Sequence, residues 1–200
     1  AWDIVRHYRE NFQGTTPFKG QIVCNSKRTA IKYFEAIRQI GKVTCALVIS
    51  PPDDREGEET AYGKTSDDVK AFWHAMMDQY GNSKNYEESI IRQFKHDEHP
   101  ELIIVVDKLL TGFDAPKNTV LYLTRKLRGH TLLQAIARVN RLYEDKDYGY
   151  IIDYAGVISV LDDALLTYSD LEDFDEKDLE GTLTGINQEI EKLDPAHQQV

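Results

Sequence analysis

The segment Gln134 to Arg141 (QAIARVNR) carries Gln134, Arg138 and Arg141 at i, i+4 and i+7, so a helix there presents an amide and two guanidiniums on one face. A guanidinium stays charged, and two of them with no acid in the segment favour either solvent or an anion. Upstream, Val105 to Pro116 (VVDKLLTGFDAP) follows the apolar run Leu102 to Val106. Loops at the carboxyl ends of parallel strands are where open α/β sheets bind ligands. Gly112 there lets the backbone approach one closely, and Asp114 is placed to accept from a ribose hydroxyl. Taken piece by piece, a solvated basic helix face and a Pro-terminated turn are the competing readings.

Three other patterns are weaker. Gly63, Lys64 and Thr65 spell the end of a phosphate-binding loop, but that loop needs a glycine five places earlier, where Glu58 stands. Asp175, Glu176 and Lys177 fit the end of a metal-dependent nuclease pattern, yet lie in an acidic run with no strand to aim them. His96 and His99 have no neighbouring Cys or third His, so a surface turn is favoured over a metal site. With no acidic Mg²⁺ box either, the chain is not expected to hydrolyse a nucleoside triphosphate by itself.

The elements that must position these residues alternate in type. Apolar spacing predicts a helix over Trp2 to Phe12, then a linker from Gly14 to Gly20. A strand over Gln21 to Asn25 leads to a helix over Lys27 to Ile40, N-capped by Ser26 and ended by Gly41. Thr44 to Ser50 is a second strand, and the polar stretch Asp53 to Thr65 separates it from helices over 66–80 and 85–96. Strands over Leu102 to Val106 and Thr119 to Leu123, a helix over His130 to Arg141 and a strand over Gly149 to Asp153 complete the pattern. The expectation is a three-layer α/β fold, a parallel sheet with helices on both faces, over residues 20–155. Residues 1–19 form an N-terminal helix and linker, and 156–200 an acidic helical extension toward a missing domain.

The 200 residues carry a net charge of −10, which looks unfriendly to a polyanion. The average conceals a partition. Lys117 to Arg141 holds six bases and no acid, whereas Asp153 to the end holds thirteen acids against two bases. A basic strip can bind phosphate locally while the whole chain remains acidic. No apolar run approaches the roughly 18 residues of a membrane span, and the start has no signal-peptide pattern, so a cytoplasmic, membrane-free protein is expected. Cys24 and Cys45 sit in apolar strand-like runs and read as buried reduced thiols.

The strings QIVCNSK, LLTGFDAP and QAIARVNR, in this order, resemble the second RecA-like motor domain of superfamily-two helicases and translocases, with helicase motifs IV to VI. The wording is similar in particular to the restriction (R) subunit of type I restriction-modification enzymes, over about residues 20–170. The resemblance implies a fragment of an ATP-dependent DNA translocase and endonuclease subunit. The family's phosphate-binding loop and Mg²⁺ box belong to a preceding motor domain, and its nuclease to another.

Carried over by motif, the resemblance implies DNA-backbone contacts at Asn25, Ser26, Lys27 and Thr111. It implies nucleotide contacts at Gly112 and Asp114, and a sixth-motif role for Gln134, Arg138 and Arg141, the arginines acting as fingers on the γ-phosphate. Ala137 stands where many relatives have glycine, and Val106 where threonine is common. The implied cofactors are ATP and Mg²⁺, held mainly by the preceding motor domain. The implied partners are double-stranded DNA, the modification and specificity subunits, and the preceding motor and nuclease domains of the same polypeptide. Two other readings stay open: an α/β module binding nucleic acid or protein without ATP coupling, and the second motor domain of another superfamily-two protein.

Overall fold

The computed structural model describes residues 1–14, 18–52, 67–110, 113–127, 129–143, 146 and 148–157. Helix α1 spans Trp2–Asn11, strand β1 Lys19–Val23, α2 Lys27–Ile40 and β2 Cys45–Val48. Helices α3 (Asp67–Tyr80) and α4 (Ser83–His96) precede β3 (Leu102–Val105). Strand β4 (Asn118–Leu123), helix α5 (Gly129–Val139) and β5 (Tyr150–Asp153) complete the described elements. The extension expected over 156–200 lies, beyond Val157, outside the described residues, as do Gly63 to Thr65 and Asp175 to Lys177.

The five strands form one sheet in the order β2-β3-β1-β4-β5, every neighbouring pair parallel. Because side chains alternate along a strand, the two faces build two cores. Val23, Val48, Ile103, Val105, Leu121 and Leu123 point to the face covered by α4 and α5, whereas Ile22, Leu47, Leu102, Ile104, Val120 and Tyr122 meet α1 and α2. Helices therefore cover both faces, as expected for a parallel sheet whose central strands β3, β1 and β4 are buried along their whole length.

Caps define the helix ends. Ser26 accepts from the Thr29 amide at the start of α2, and Gly41 ends it at φ 65°, a left-handed conformation that glycine adopts without strain. Asn82 caps α4, which starts at Ser83, two residues before the spacing predicted.

Three expectations need correction. The last two residues of the segment read as a linker, Lys19 and Gly20, already belong to β1, where the buried Lys19 amine donates to the carbonyls of Asp97 and Pro100. Strands and helices do not alternate throughout: two helices separate β2 from β3, and among the described residues no helix separates β3 from β4. Instead Leu109, Leu110, Phe113 and Ala115 of that connection pack into the core as a helix would. Finally, α5 ends at Val139, short of Arg141. The backbone at Gly149 lies so close to the end of α5 that a Cβ there would sit 2.1 Å from the Val139 carbonyl oxygen.

Candidate functional site

Parallel pairing of β4 with β5 requires α5 to carry the chain back from the carboxyl to the amino edge of the sheet. The end of α5 therefore lies at the amino edge, and so does the close of the β3–β4 connection, where Ala115 O accepts from the amide of Asn118, the first residue of β4. The two segments meet there. Arg138 Nη1 donates to the carbonyl of Phe113, and Arg141 Nη1 pairs with Asp114 Oδ1 at 2.6 Å. The expectation of a carboxyl-edge site is thus corrected for Asp114, which has been carried across the sheet to the opposite edge.

Arg141 has an acidic partner after all, supplied by the loop rather than by its own segment. Both members of that pair keep about half of their side-chain surface exposed, 51% and 54%. Arg138 is deeper. Its Nε is buried without a hydrogen-bond partner among the described residues, and burial, followed by the neighbouring Arg141, pulls it below its ordinary pKa while Asp114 opposes the shift. A guanidinium whose charged form is disfavoured in this way gains from an incoming anion. Gln134 lies about one turn earlier on α5, half-buried. Thr111 and Gly112 lie outside the described residues.

A third cation, invisible to sequence reasoning, braces this cluster. Lys146 is buried, and its amine donates to Pro116 O at 2.9 Å and to Asn118 O at 2.8 Å. Desolvation lowers its pKa to about 8. Its position in the run Tyr143 to Tyr148 (YEDKDY) suggests a solvated loop, so no local signal reveals it.

Asn25, Ser26 and Lys27 occupy the other edge, after β1, about 15–20 Å away at the usual rise per strand residue. Asn25 and Ser26 are exposed. Lys27 is not, because its side chain is buried and Nζ donates to the carbonyl of Pro51 at 2.7 Å, bracing the turn after β2. A second residue missed by sequence reasoning, Arg125, reaches this edge from the end of β4 and donates to Val106 O and Asp107 Oδ1. Its signals were its place just past a parallel strand and its membership of the basic strip from Lys117 to Arg141.

Cys24 and Cys45 are free thiols; Cys24 is buried but Cys45 only partly so. Among the described residues no group of three or more His, Cys, Asp or Glu converges as a metal site, and His99 instead meets Thr44 at 3.0 Å. Among the described residues the charged groups at the amino edge are guanidiniums, the Lys146 amine and one carboxylate, that of Asp114, which is paired with Arg141, a set that favours an anion over a cation. A cavity of about 760 Å³ opens between Phe12, Arg38, Thr44, His99 and Glu101, and none of the sequence-predicted residues lines it.

The family profile for type I restriction enzyme subunit R domain 3 matches residues 16–156. The chain belongs to this family. A relative named as the MjaIXP type I restriction enzyme endonuclease subunit of Methanocaldococcus jannaschii is 32% identical over 169 residues, 84% of this chain and 14% of that protein. The HindI endonuclease subunit of Haemophilus influenzae is 40% identical over 97 residues, 46% of this chain and 9% of that protein. A Staphylococcus aureus endonuclease subunit, SauCOLORF180P, is 29% identical over 191 residues, 86% of this chain and 21% of its own. The R-subunit domain thus spans about a tenth to a fifth of the relatives it matches. Among solved structures, an HsdR-subunit fragment from Vibrio vulnificus aligns with a TM-score of 0.47 at 19% identity, covering 84% of this chain and 28% of that one. The DNA-bound type ISP enzyme LlaBIII aligns with a TM-score of 0.45 at 14% identity, covering 74% and 9%.

Proposed function

We propose that this R-subunit domain is the second motor domain of an ATP-dependent DNA translocase, and that its amino edge completes an ATP site begun by a preceding motor domain. The observation that supports this reading best is the convergence of Arg138 and Arg141 on the Phe113–Asp114 loop, one guanidinium partly buried and the other exposed. In phosphoryl transfer, charge spreads over the γ-phosphate oxygens, and a guanidinium presented from a second domain stabilises that transition state. Arg141 fits the role of finger, since exchanging an exposed carboxylate for a phosphate costs little. Arg138 orients the loop through the Phe113 carbonyl and adds a second positive charge behind it.

ATP and its Mg²⁺ are held, in this reading, mainly by the other motor domain. This chain orients the γ-phosphate with its arginines and a ribose or base with the 111–114 loop, and excludes water from the closed cleft. Closure on ATP and reopening after hydrolysis would move the Asn25–Ser26 edge against the DNA backbone, so that alternating grip becomes stepping. The nuclease, and the modification and specificity subunits, act elsewhere in the complete enzyme, and the domain alone is inactive.

The test is DNA-stimulated ATP hydrolysis by the full-length subunit. Arg141→Ala and Arg138→Ala are expected to lower turnover by about 10³-fold or more with nucleotide affinity retained. Undiminished turnover would sink the finger role and leave a binding module uncoupled from ATP.

A further inference from the structure

We propose that Arg125, together with Arg28, forms a seat for a nucleic-acid phosphodiester at the carboxyl edge of the sheet, beside the Asn25–Ser26 turn. The inference rests on the reading of that edge as the DNA face and names the side chains that carry it. Neither arginine belongs to the motif that suggested the edge, and the lysine that does belong to it, Lys27, is buried in the turn after β2.

The placement follows from strand order. β1 lies between β3 and β4, with Val23 level with Val105 on one side and Leu123 on the other. Past those positions, Cys24 N donates to Val105 O, and Thr124 donates through both its amide and its hydroxyl to Val23 O. Arg125 follows Thr124 on the β4 side, yet its Nη2 bonds lie on the β3 side, at Val106 O (3.1 Å) and Asp107 Oδ1 (2.6 Å). The guanidinium must therefore pass over the end of β1, where the chain turns into Asn25 and Ser26. The electrostatic influence of Arg125 on the Cys24 thiol places it there as well.

The chemistry of the seat is that of an anion site. The Arg125 side chain is 23% exposed, so its head is held in place while still reaching solvent, and its Nε is buried without a partner among the described residues. Asp107, its acidic partner, is 78% exposed. A pair of this kind is weak and readily exchanged for a phosphate, while the Val106 carbonyl keeps the guanidinium oriented. The first turn of α2 adds to the same field: it carries Lys27 and Arg28 and no acid, although cations at a helix N-terminus oppose the helix dipole. Arg28 and the neighbouring Lys126 are both exposed. Among the described residues the cations on the first turn of α2 have no acid in that turn to offset them, and a phosphate there would do so.

The experiment measures affinity of the full-length subunit for a labelled DNA duplex across a salt series, without nucleotide. Arg125→Gln is expected to weaken binding about tenfold near about 0.1 M salt and to make the dependence of log K on log salt shallower by about one. Asp107→Asn, which removes the competing carboxylate, is expected to tighten binding severalfold, and it decides the matter if Arg125→Gln does not fold. Asn25→Asp probes the edge independently. If Asn25→Asp weakens binding but folded Arg125→Gln leaves affinity and slope unchanged, or if Asp107→Asn weakens binding, the phosphate seat is overturned while the DNA edge stands. If neither Asn25→Asp nor Arg125→Gln alters binding, the reading of the edge itself falls.

Discussion

In the proposed function, the surface ion pair of Asp114 and Arg141 would matter more for turnover than for stability. Each is about half exposed, and pairs of this type contribute about 0–1 kcal/mol to folding. Asp114→Asn is therefore expected to leave the thermal midpoint of the full-length subunit nearly unchanged. The same change removes the charged partner that Arg141 has among the described residues, and a finger displaced by about 1 Å loses about 10²-fold in rate. ATP turnover measured beside thermal unfolding separates the two effects, and a variant as active as wild type would show that the pair does not orient Arg141. At this scale the sequence disclosed the types of the candidate residues but not their pairing, because Asp114 and Arg141 lie 27 positions apart.

The end of α5 depends on a close approach of two backbones. Gly149 donates its amide to Asn140 Oδ1, and a Cβ at this position would lie 2.1 Å from Val139 O and 3.0 Å from Asn140 N. Both are backbone atoms that cannot swing aside, so Gly149→Ala is expected to destabilise the domain by about 3 kcal/mol or more. Hydrogen-exchange protection in α5 and β5 would read this loss, and retained protection would show that the loop can shift. Ser26→Ala, by contrast, removes one helix cap and is expected to cost about 1 kcal/mol. Helix ends of that second kind are legible in sequence because the cap is a neighbour of what it caps. The stop at Val139 was not legible, because the residue that abuts it comes ten positions later, after the chain has turned back.

Across the whole molecule, buried titratable groups set an alkaline profile with two limbs. Burial lowers Lys19 and Lys146 to about 8 from an ordinary value of 10.5. Between these values the unfolded chain binds more protons than the folded one, so stability rises with pH from about 8. Burial raises the thiols of Cys24 and Cys45 to about 11 and about 12 from 9.0, and raises the buried tyrosines Tyr8, Tyr86 and Tyr122. For these groups the unfolded chain releases protons first, so stability falls above pH 9 for the thiols and above pH 10 for the phenols. Opening free energies of β1 and β4 amides, measured by hydrogen exchange in the full-length subunit, are expected to rise between pH 8 and 9 and to drop beyond pH 10. A monotonic fall from pH 8 would mean that the two lysines stay charged in the fold, held by their pairs of carbonyls.

The sequence by itself determined the number, type and approximate span of the described elements, since apolar period, caps and breakers act within a few residues. It also disclosed the family, through short strings that keep their order along the chain. Only the tertiary structure decided that the sheet runs β2-β3-β1-β4-β5, so that Asp114 crosses to the amino edge and Arg125 reaches over β1. It likewise decided that Lys19, Lys27 and Lys146, three ordinary surface residues by composition, turn inward to carbonyls. A buried ammonium is tolerated only where acceptors converge on it, and those acceptors come from distant segments brought together by strand pairing.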